Sequence, residues 1–445
     1  MILILADNIP SWLDYIWGQF LKINGLKTES RLLAYADYSK SMIEDEGDLI
    51  IEYAVKQRYP LSLFILRKEF FKTDDYVWLK DNLPVYRGTM EKESGNYDIF
   101  YNAFVHLSRK EEGEKEKSGY FIHSYSGRHP RKDKSIWKIP VVNYLFNDLE
   151  NKIKAKNAQI CFSEQDKATI EFSHDVDYLS KTAQLKIKYC VFNFYNIAKL
   201  FLRMKFKKSL VKFCKTMYFV FSERDYWHFQ QWMDIEKKLD IKSVYYIFAG
   251  SKRKRRFNLK RWLIEPSYSI LNNQRLIGEC KKLIANGNQI GIHGSCLSAG
   301  DAELFQEEKN NLEASIGSQV IKGRQHWLGF YENKTSYIYE KAGIKEDSTL
   351  GFNDISGFRS GVASKYNPYD HKNEIAFSFL EVPMVIMDSH LYDYSDSVDF
   401  DSLKWFFDAS KNIKRFAVSI NWHQRSISQD YDWGYFYSRI AGWHN

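Results

Sequence analysis

The chain has 445 residues, of which 44% are hydrophobic, and it carries a formal net charge of +8. This length predicts two or more domains, and the composition, with only 8 prolines, excludes a largely disordered or fibrous protein. The net charge is modest for the size, so we predict no nucleic-acid partner.

The cysteines indicate a reducing compartment. Five are present, at positions 161, 190, 214, 280 and 296, and none forms a Cys-x-x-Cys pair, so neither a disulfide framework nor a zinc ribbon is predicted. The first ten residues lack a basic residue and include Asp7 and Pro10, which is untypical of a signal peptide or a spanning helix. We therefore expect a cytoplasmic protein. The sequence gives no indication of its oligomeric state.

Residues 1–160 are predicted to form a small α/β domain of unknown function. Apolar runs predict strands at 2–6, 48–53 and 61–66, and apolar residues at helical spacing predict helices at 12–24, 97–109 and 140–155. The polar run at 110–118 is predicted to be an exposed loop.

Residues 161–445 show a different pattern, in which strands and helices alternate. Seven stretches resemble strands, at 170–177, 242–250, 289–293, 320–326, 344–347, 380–387 and 416–423. Helical segments lie between them. This alternation predicts an α/β fold with a mainly parallel sheet that is closed, or nearly closed, into a barrel.

A basic helical insertion at 180–239 separates the first two of these strands. It mixes aromatic and aliphatic residues with regularly spaced lysines. Such a helix either lies on an anionic membrane surface or packs on its own protein with the lysine heads in water, and we favour the second interpretation. The basic run at 252–256 is typical of a solvated face and less often of an anion site.

Ionisable side chains recur at the predicted carboxyl ends of the strands, where βα barrels carry their functional groups. They are Asp175, Asp177, His293, Arg324, His326, Asp347 and His423. Asp175 and Asp177 are separated by one residue, so a strand tip places both carboxylates on one side of the backbone.

These residue types predict a metal-dependent hydrolase. Asp177, His293 and His326 would supply three ligands to a divalent ion, most simply zinc, and leave a position open for water. Asp175 would then act as general base and His423 as general acid in hydrolysis of an amide such as an N-acetyl group. For His293, His326 and His423 the alternative is a packed structural histidine. His174 is a ligand, a partner of a ligand, or a solvent-facing strand residue.

Five motifs together resemble polysaccharide deacetylases of the NodB-homology type (carbohydrate esterase family 4). They are His-Asp-Val-Asp at 174–177, Ile-Gly-Ile-His-Gly-Ser at 290–295, Arg-Gln-His-Trp-Leu-Gly-Phe at 324–330, Gly-Phe-Arg-Ser-Gly at 357–361 and Ile-Asn-Trp-His at 420–423. The chain is most similar to a bacterial subgroup that carries an extra N-terminal domain of unknown function and occurs among surface-polysaccharide genes.

The resemblance implies a deformed (β/α)7 barrel and metal-dependent N-deacetylation, but the chain departs from the family pattern twice. The two aspartates of the first motif are adjacent in the family, whereas Val176 separates them here. The second motif has another histidine four residues after the first, and this position is Leu297. We expect His326 to replace that ligand.

The predicted function is removal of an N-acetyl group from an amino sugar in a bacterial surface-polysaccharide precursor. Arg324 is expected to orient Asp175 or to bind substrate, and Trp327, Phe330 and Tyr366 are candidates for a sugar platform. Three alternatives remain: a catalytically degenerate carbohydrate-binding protein, a hydrolase of a non-sugar amide, and a membrane-surface scaffold. The predicted substrate-binding residues are Arg324, Ser295, Asp347, Arg359 and Trp327.

Overall fold

The computed structural model describes residues 1–39, 48–117, 124–222, 225–252, 258–392 and 400–444. The chain divides into two compact units. The first unit contains Met1–Ile170, Phe330–Glu340 and Lys345–Ser419, and the second unit contains Glu171–Gly329, Lys341–Ile344 and Ile420–Asn445. The basic run at 252–256 was predicted to be a solvated face, and all of it except Lys252 lies outside the described residues.

The N-terminal part of the first unit is built on a parallel sheet. Its strands are β1 (Ile2–Ala6), β2 (Ser30–Ala34), β3 (Leu49–Ala54) and β4 (Leu63–Leu66), in the order β2-β1-β3-β4. All five side chains of β1 are buried, as a central parallel strand requires. A two-stranded antiparallel ribbon follows, β5 (Tyr76–Trp78) with β6 (Pro84–Tyr86).

Four helices accompany this sheet, namely α1 (Ser11–Asn24), α2 (Ile99–Leu107), α3 (Lys110–Lys117) and α4 (Val141–Lys156). Helix α1 ends where the sequence predicts, because Gly25 adopts the left-handed conformation (φ 63°) and its N–H bonds to the Leu21 carbonyl. Apolar side chains from α1, α2 and α4 share one hydrophobic core with the sheet.

The prediction of an exposed loop at 110–118 is wrong, because residues 110–117 form α3. Glu111 and Glu112 are buried in this helix, with exposures of 4% and 3%. Glu111 accepts a hydrogen bond from Arg131 at 2.7 Å, and Glu112 accepts one from Arg359 at 2.6 Å. Ion pairs with distant arginines therefore fix a segment whose local composition resembles a solvated loop.

The larger sheet has eight strands in the order β14-β11-β10-β9-β8-β7-β16-β15. Their bounds are β7 Thr169–Val176, β8 Val244–Ile247, β9 Gln289–Gly294, β10 Lys322–Gln325, β11 Glu346–Asp347, β14 Leu380–Glu381, β15 Met384–Met387 and β16 Ala417–Asn421. The pairs β7/β8, β8/β9, β9/β10 and β11/β14 are parallel. A small antiparallel pair, β12 (Tyr369–Asp370) and β13 (Ile375–Ala376), lies between β11 and β14 in the chain.

The two outermost strands, β14 and β15, come from one chain segment. Val382 N donates to the Asp347 carbonyl at 2.8 Å, and Ser419 N donates to the Pro383 carbonyl at 2.8 Å. Pro383 has no N–H, so the strand is interrupted there. Residues 380–387 thus occupy both ends of the strand order, and the seven predicted strand segments form the predicted deformed (β/α)7 barrel.

The helices of this part alternate with its strands. They are α5 (Ala183–Leu202), α6 (Phe206–Phe221), α7 (Phe229–Lys238), α8 (Leu259–Ile264), α9 (Gln274–Ala285), α10 (Ala302–Ile316), α11 (Thr335–Ala342), α12 (Asp388–Tyr392), α13 (Lys404–Asn412) and α14 (Gly434–His444). Helices α5, α6 and α7 account for the predicted basic insertion. Across the described part of the chain, no helix combines the length and apolar composition needed to cross a bilayer.

Candidate metal centre

The end of β7 places its polar side chains on two opposite faces of the strand. His174 lies on one face and is fully buried, where its Nδ1 contacts the Trp422 carbonyl and its Nε2 contacts Glu236, both at 2.8 Å. Asp175 and Asp177 lie on the other, because side chains alternate along a strand. His174 is therefore a core residue with a carboxylate partner, and it does not face solvent.

Asp177 meets two histidines from β9 and β10, which lie two and three strands away from β7 in the sheet. His293 is at the end of β9, and His326 directly follows β10. His293 Nε2 and His326 Nδ1 are each 3.3 Å from Asp177 Oδ1, and the two nitrogens are 2.9 Å apart. All three residues are buried, and their ligand atoms lie within 4.8 Å of one another.

The remaining nitrogens of both histidines contact backbone carbonyls. His293 Nδ1 lies 3.2 Å from the Arg324 carbonyl, and His326 Nε2 lies 2.7 Å from the Ile264 carbonyl. Since a carbonyl only accepts, we assign the N–H to these nitrogens, which leaves the two facing nitrogens bare. This is the arrangement by which outer partners orient histidine ligands of a metal.

The three side chains fit a divalent cation. Asp177 Oδ1 is buried and has no hydrogen-bond donor. The atoms that face it are the two bare nitrogens of His293 and His326, each of which carries a lone pair. Buried lone pairs that face each other without a proton or cation between them are unfavourable. Two imidazoles and one carboxylate form the ligand set of catalytic zinc sites, which keep a further position open.

Asp175 is held beside this cluster by two donors. Arg324 Nη1 donates to Asp175 Oδ1 at 2.9 Å, and Asn421 Nδ2 donates to Asp175 Oδ2 at 3.0 Å. Burial opposes ionisation of Asp175, but the positive charge of Arg324 outweighs it and lowers the pKa of the carboxyl. Asp175 is therefore an ionised carboxylate with one lone pair of each oxygen already engaged.

Arg324 is itself held rigidly. It is fully buried, its Nη1 also donates to Ser173 Oγ at 2.8 Å, and its guanidinium lies 4.2 Å from the ring centre of Tyr246. These contacts fix the plane of the guanidinium and hence the direction in which it presents its donor to Asp175.

His423 and Arg425 approach Asp177 from the segment after β16. Arg425 Nη1 donates to Asp177 Oδ2 at 2.7 Å, and His423 Nε2 lies 3.5 Å from the same oxygen. Arg425 and His423 therefore contact Oδ2 of Asp177, whereas His293 and His326 face its Oδ1. Burial opposes ionisation of Asp177, but His326 and Arg425 hold its pKa well below the ordinary value.

The basic insertion contributes Lys188 to the surroundings of the centre. Its Nζ donates to the Tyr178 hydroxyl at 2.9 Å and lies 4.9 Å from the ring centre of Trp327. Burial lowers the pKa of Lys188 to about 8, although Asp177 opposes the effect. Trp327 adopts a left-handed backbone conformation (φ 59°), and 36% of it is exposed.

Other predicted site residues have different surroundings. Ser295 is buried and takes part in the turn after β9, where its Oγ accepts from Ser298 N at 3.3 Å. Leu297, at the position of the second-motif histidine, is 44% exposed. The structure thus brings Asp175, Asp177, His293, Arg324, His326 and His423 together within the second unit and leaves Leu297 at the surface.

Asp347 and Arg359 belong to the first unit. Asp347 accepts from Thr349 Oγ1 at 2.6 Å, and Arg359 donates to Glu112 and, at 3.0 Å, to the Gly351 carbonyl. Both are almost completely buried, as are Phe330 and Tyr366, with exposures of 3% and 0%. Burial and existing partners give no support for a substrate-binding role or a sugar platform at these positions.

Sequence reasoning missed three residues near the centre: Asn421, Arg425 and Lys188. Asn421 lies two residues before His423 in a motif that the sequence analysis singled out, so period-two alternation could have found it. Arg425 and Lys188 lack such a signal. Arg425 follows the last motif without being part of it, and Lys188 is one of many lysines in the insertion.

Comparisons with known proteins give fold-level similarity. No protein-family model matches the chain, and no curated protein matches it. The solved structures that resemble it include polysaccharide deacetylases and a carbohydrate esterase of family 4.

Three of these structures illustrate the level of similarity. A Mycobacterium smegmatis protein provisionally described as a polysaccharide deacetylase has 12% identity and a TM-score of 0.36, over 63% of this chain and 86% of its own. The Bacillus cereus polysaccharide deacetylase has 9% identity and a TM-score of 0.30, over 62% and 87%. A Bacillus anthracis pseudoenzyme of the same type has 10% identity and a TM-score of 0.25, over 63% of each chain. At these values, function is inferred from the side chains of the site.

Proposed function

We propose that this protein is a metal-dependent hydrolase that removes N-acetyl groups from an amino sugar in a bacterial surface-polysaccharide precursor. The observation that carries the proposal is the meeting of Asp177 Oδ1 with two bare imidazole nitrogens, each 3.3 Å away, beside an ionised Asp175. The five cysteines are free, which supports a reducing, cytoplasmic location.

Asp177, His293 and His326 would hold the divalent ion, most simply zinc. When bound there, the ion supplies Lewis-acid polarisation of an amide carbonyl and makes water more acidic. Asp175 is the general base, because its lowered pKa keeps it ionised and each of its oxygens retains a lone pair beyond those used by Arg324 and Asn421. Arg324 and Asn421 fix the direction of those lone pairs.

His423 is the general acid that protonates the leaving amine. Its side chain is 14% exposed, against 5% for Asp177, so it can reach both the cluster and an incoming substrate. Its Nε2 lies 3.5 Å from Asp177 Oδ2, so the imidazole stands beside the ion-binding cluster, where a proton donor for the leaving amine is needed.

A cavity in the second unit is a candidate site for the sugar. Its volume is about 340 Å³, and its lining residues are Gln184, Asn258, Trp262, Glu265, Pro266, Ser267 and Tyr268. The same segment supplies the Ile264 carbonyl that contacts His326 and, at 3.2 Å, Trp327. Aromatic rings mixed with amide, hydroxyl and carboxylate groups suit a hexose, and the volume is at the lower end of small-molecule sites.

The test is release of acetate from a panel of N-acetylated amino sugars in nucleotide-linked, lipid-linked and polymeric form, with zinc-loaded protein. Asp175→Asn and His293→Ala should each lower the rate by at least about a hundredfold, while Leu297→Ala should match the wild type. Metal binding without acetate release from any substrate would favour a degenerate binding protein or a hydrolase of another amide. Absence of both activity and metal binding would contradict the proposal.

A further inference from the structure

The α5–α6 hairpin presents an unusual amount of apolar surface. More than half of the exposed large hydrophobic residues among the described positions lie between 187 and 221. We call this set the hairpin surface. Its members are Ile187, Val191, Phe192, Phe194, Tyr195, Phe201, Leu202, Met204, Phe206, Leu210, Val211, Phe213, Tyr218 and Phe221.

The base of the hairpin packs against other parts of the second unit. Leu185 and Phe219 join a small core with Tyr178 and Tyr226, and Lys181 pairs with Asp430 at 2.7 Å. Farther along, contacts run between the two helices themselves, as between Phe201 and Phe206 with ring centres 5.0 Å apart. The apolar residues at this end have exposures of 58% (Phe201), 82% (Leu202) and 73% (Met204).

The same segment is strongly and uniformly basic. Residues 181–222 contain ten lysines and arginines and no aspartate or glutamate, although acidic residues are plentiful elsewhere in the chain. Half of these basic residues lie between positions 199 and 208, near the apolar turn, and they include Arg203, Lys205, Lys207 and Lys208, all exposed. Exposed aromatic and aliphatic side chains are thus interleaved with positive charge over the whole hairpin.

We propose that the hairpin surface binds a lipid bilayer that contains anionic headgroups, with the apolar side chains in the interface and the lysines at headgroup level. This composition is typical of interfacial helices, and basic residues beside an apolar segment favour anionic lipid. The core of a protein–protein interface, in contrast, is depleted in lysine. The proposal does not depend on the proposed hydrolase activity.

Flotation of the full chain with vesicles tests this inference. The probes are vesicles of phosphatidylcholine alone and vesicles that also contain phosphatidylglycerol. The variants are Phe201→Ser with Leu202→Ser, which removes apolar contact, and Lys207→Glu with Lys208→Glu, which reverses charge. The matched control is Leu61→Ser with Phe70→Ser, because these side chains are also exposed (87% and 61%) but lie elsewhere. Thermal unfolding checks that each variant is folded.

We expect the wild type and the control to float with anionic vesicles, and each hairpin variant to partition at least about tenfold less. Binding should weaken in high salt and on phosphatidylcholine alone. The inference is overturned if the wild type does not bind anionic vesicles, or if both hairpin variants bind as well as the wild type. It is also overturned if sedimentation shows instead a dimer that Phe201→Ser with Leu202→Ser dissociates, since the surface would then bind a second copy.

Discussion

His293 Nε2 and His326 Nδ1 lie 2.9 Å apart and face the same carboxylate oxygen of Asp177. The other nitrogen of each ring contacts a backbone carbonyl, so neither ring has an N–H to offer its partner when both are neutral. A cation between them removes the repulsion of the lone pairs and gives the buried Asp177 Oδ1 a partner. This relationship underlies the proposed hydrolase.

Loss of Arg324 should change the pH dependence of activity. Arg324→Met removes the largest positive influence on Asp175, so the pKa of Asp175 rises and the general base becomes protonated at a higher pH. The acid limb of the kcat/KM profile should therefore move to higher pH. The unfolding free energy should fall by about 3–5 kcal/mol, because a buried carboxylate loses its ion partner.

Lys322→Met is the matched control for that change. Lys322 lies on the same strand and pairs with Glu171 in another buried ion pair at 2.5 Å. It should cost stability without moving the acid limb. If both variants leave the limb where the wild type has it, Arg324 does not control the ionisation of Asp175.

Lys188 should contribute to substrate binding and not to metal binding. Lys188→Met removes a partly buried lysine whose ammonium bonds to Tyr178 and lies over Trp327. We expect KM to rise about tenfold, as for loss of one charged hydrogen bond, with unchanged zinc content. Lys199→Met, at an exposed position of the same helix, should leave KM unchanged, and a similar rise in both variants would assign the effect to the charge of the helix as a whole.

The carboxyl pair Asp347 and Glu381 should make stability depend on pH. The two residues are register neighbours in β11 and β14 and are fully buried. Burial raises the pKa of both carboxyl groups, and the nearby Asp347 raises the pKa of Glu381 further. The folded protein therefore retains a proton that the unfolded chain has already released.

The sign of this effect follows from linkage. The stabilisation is complete below the unfolded pKa of about 4 and is lost as pH rises through the higher folded pKa, at no more than about 1.4 kcal/mol per pH unit for one proton. Glu381→Gln should flatten the dependence of the unfolding free energy on pH above the unfolded pKa of about 4. Asp14→Asn, at an exposed position, should not. Denaturant titrations at several pH values measure both, and parallel curves for Glu381→Gln and the wild type would disprove the shared proton.

The architecture was largely predictable because its signals are periodic. Continuous apolar runs mark β1, β8 and β15, and Gly25 marks the end of α1. Helix α3 was missed because its stabilising partners, Arg131 and Arg359, are distant in sequence. Residues 380–387 form β14 and β15, which lie at opposite ends of the strand order. This division depends on which strands they pair with, and no local sequence pattern shows that.

The candidate site was predictable where residues follow strand ends. Asp175, Asp177, His293 and His326 share this property, and strand order brings them together. Asp347 has the same sequence context, but its carboxylate pairs with Glu381 and Thr349 in the first unit. Whether a charged residue at a strand end belongs to the site depends on the direction of its side chain and on which partners compete for it. Both depend on the tertiary structure. For the same reason Lys188 could not be distinguished from the other lysines of its helix.

Metal content measured on purified protein tests the central claim most directly. After equilibration with zinc and removal of the excess, elemental analysis should find about one tightly held ion per chain in the wild type and in Leu297→Ala. His293→Ala and His326→Ala should each bind far less, while retaining the wild-type circular dichroism spectrum. A wild type that holds no ion, or folded histidine variants that hold as much as the wild type, would contradict the account.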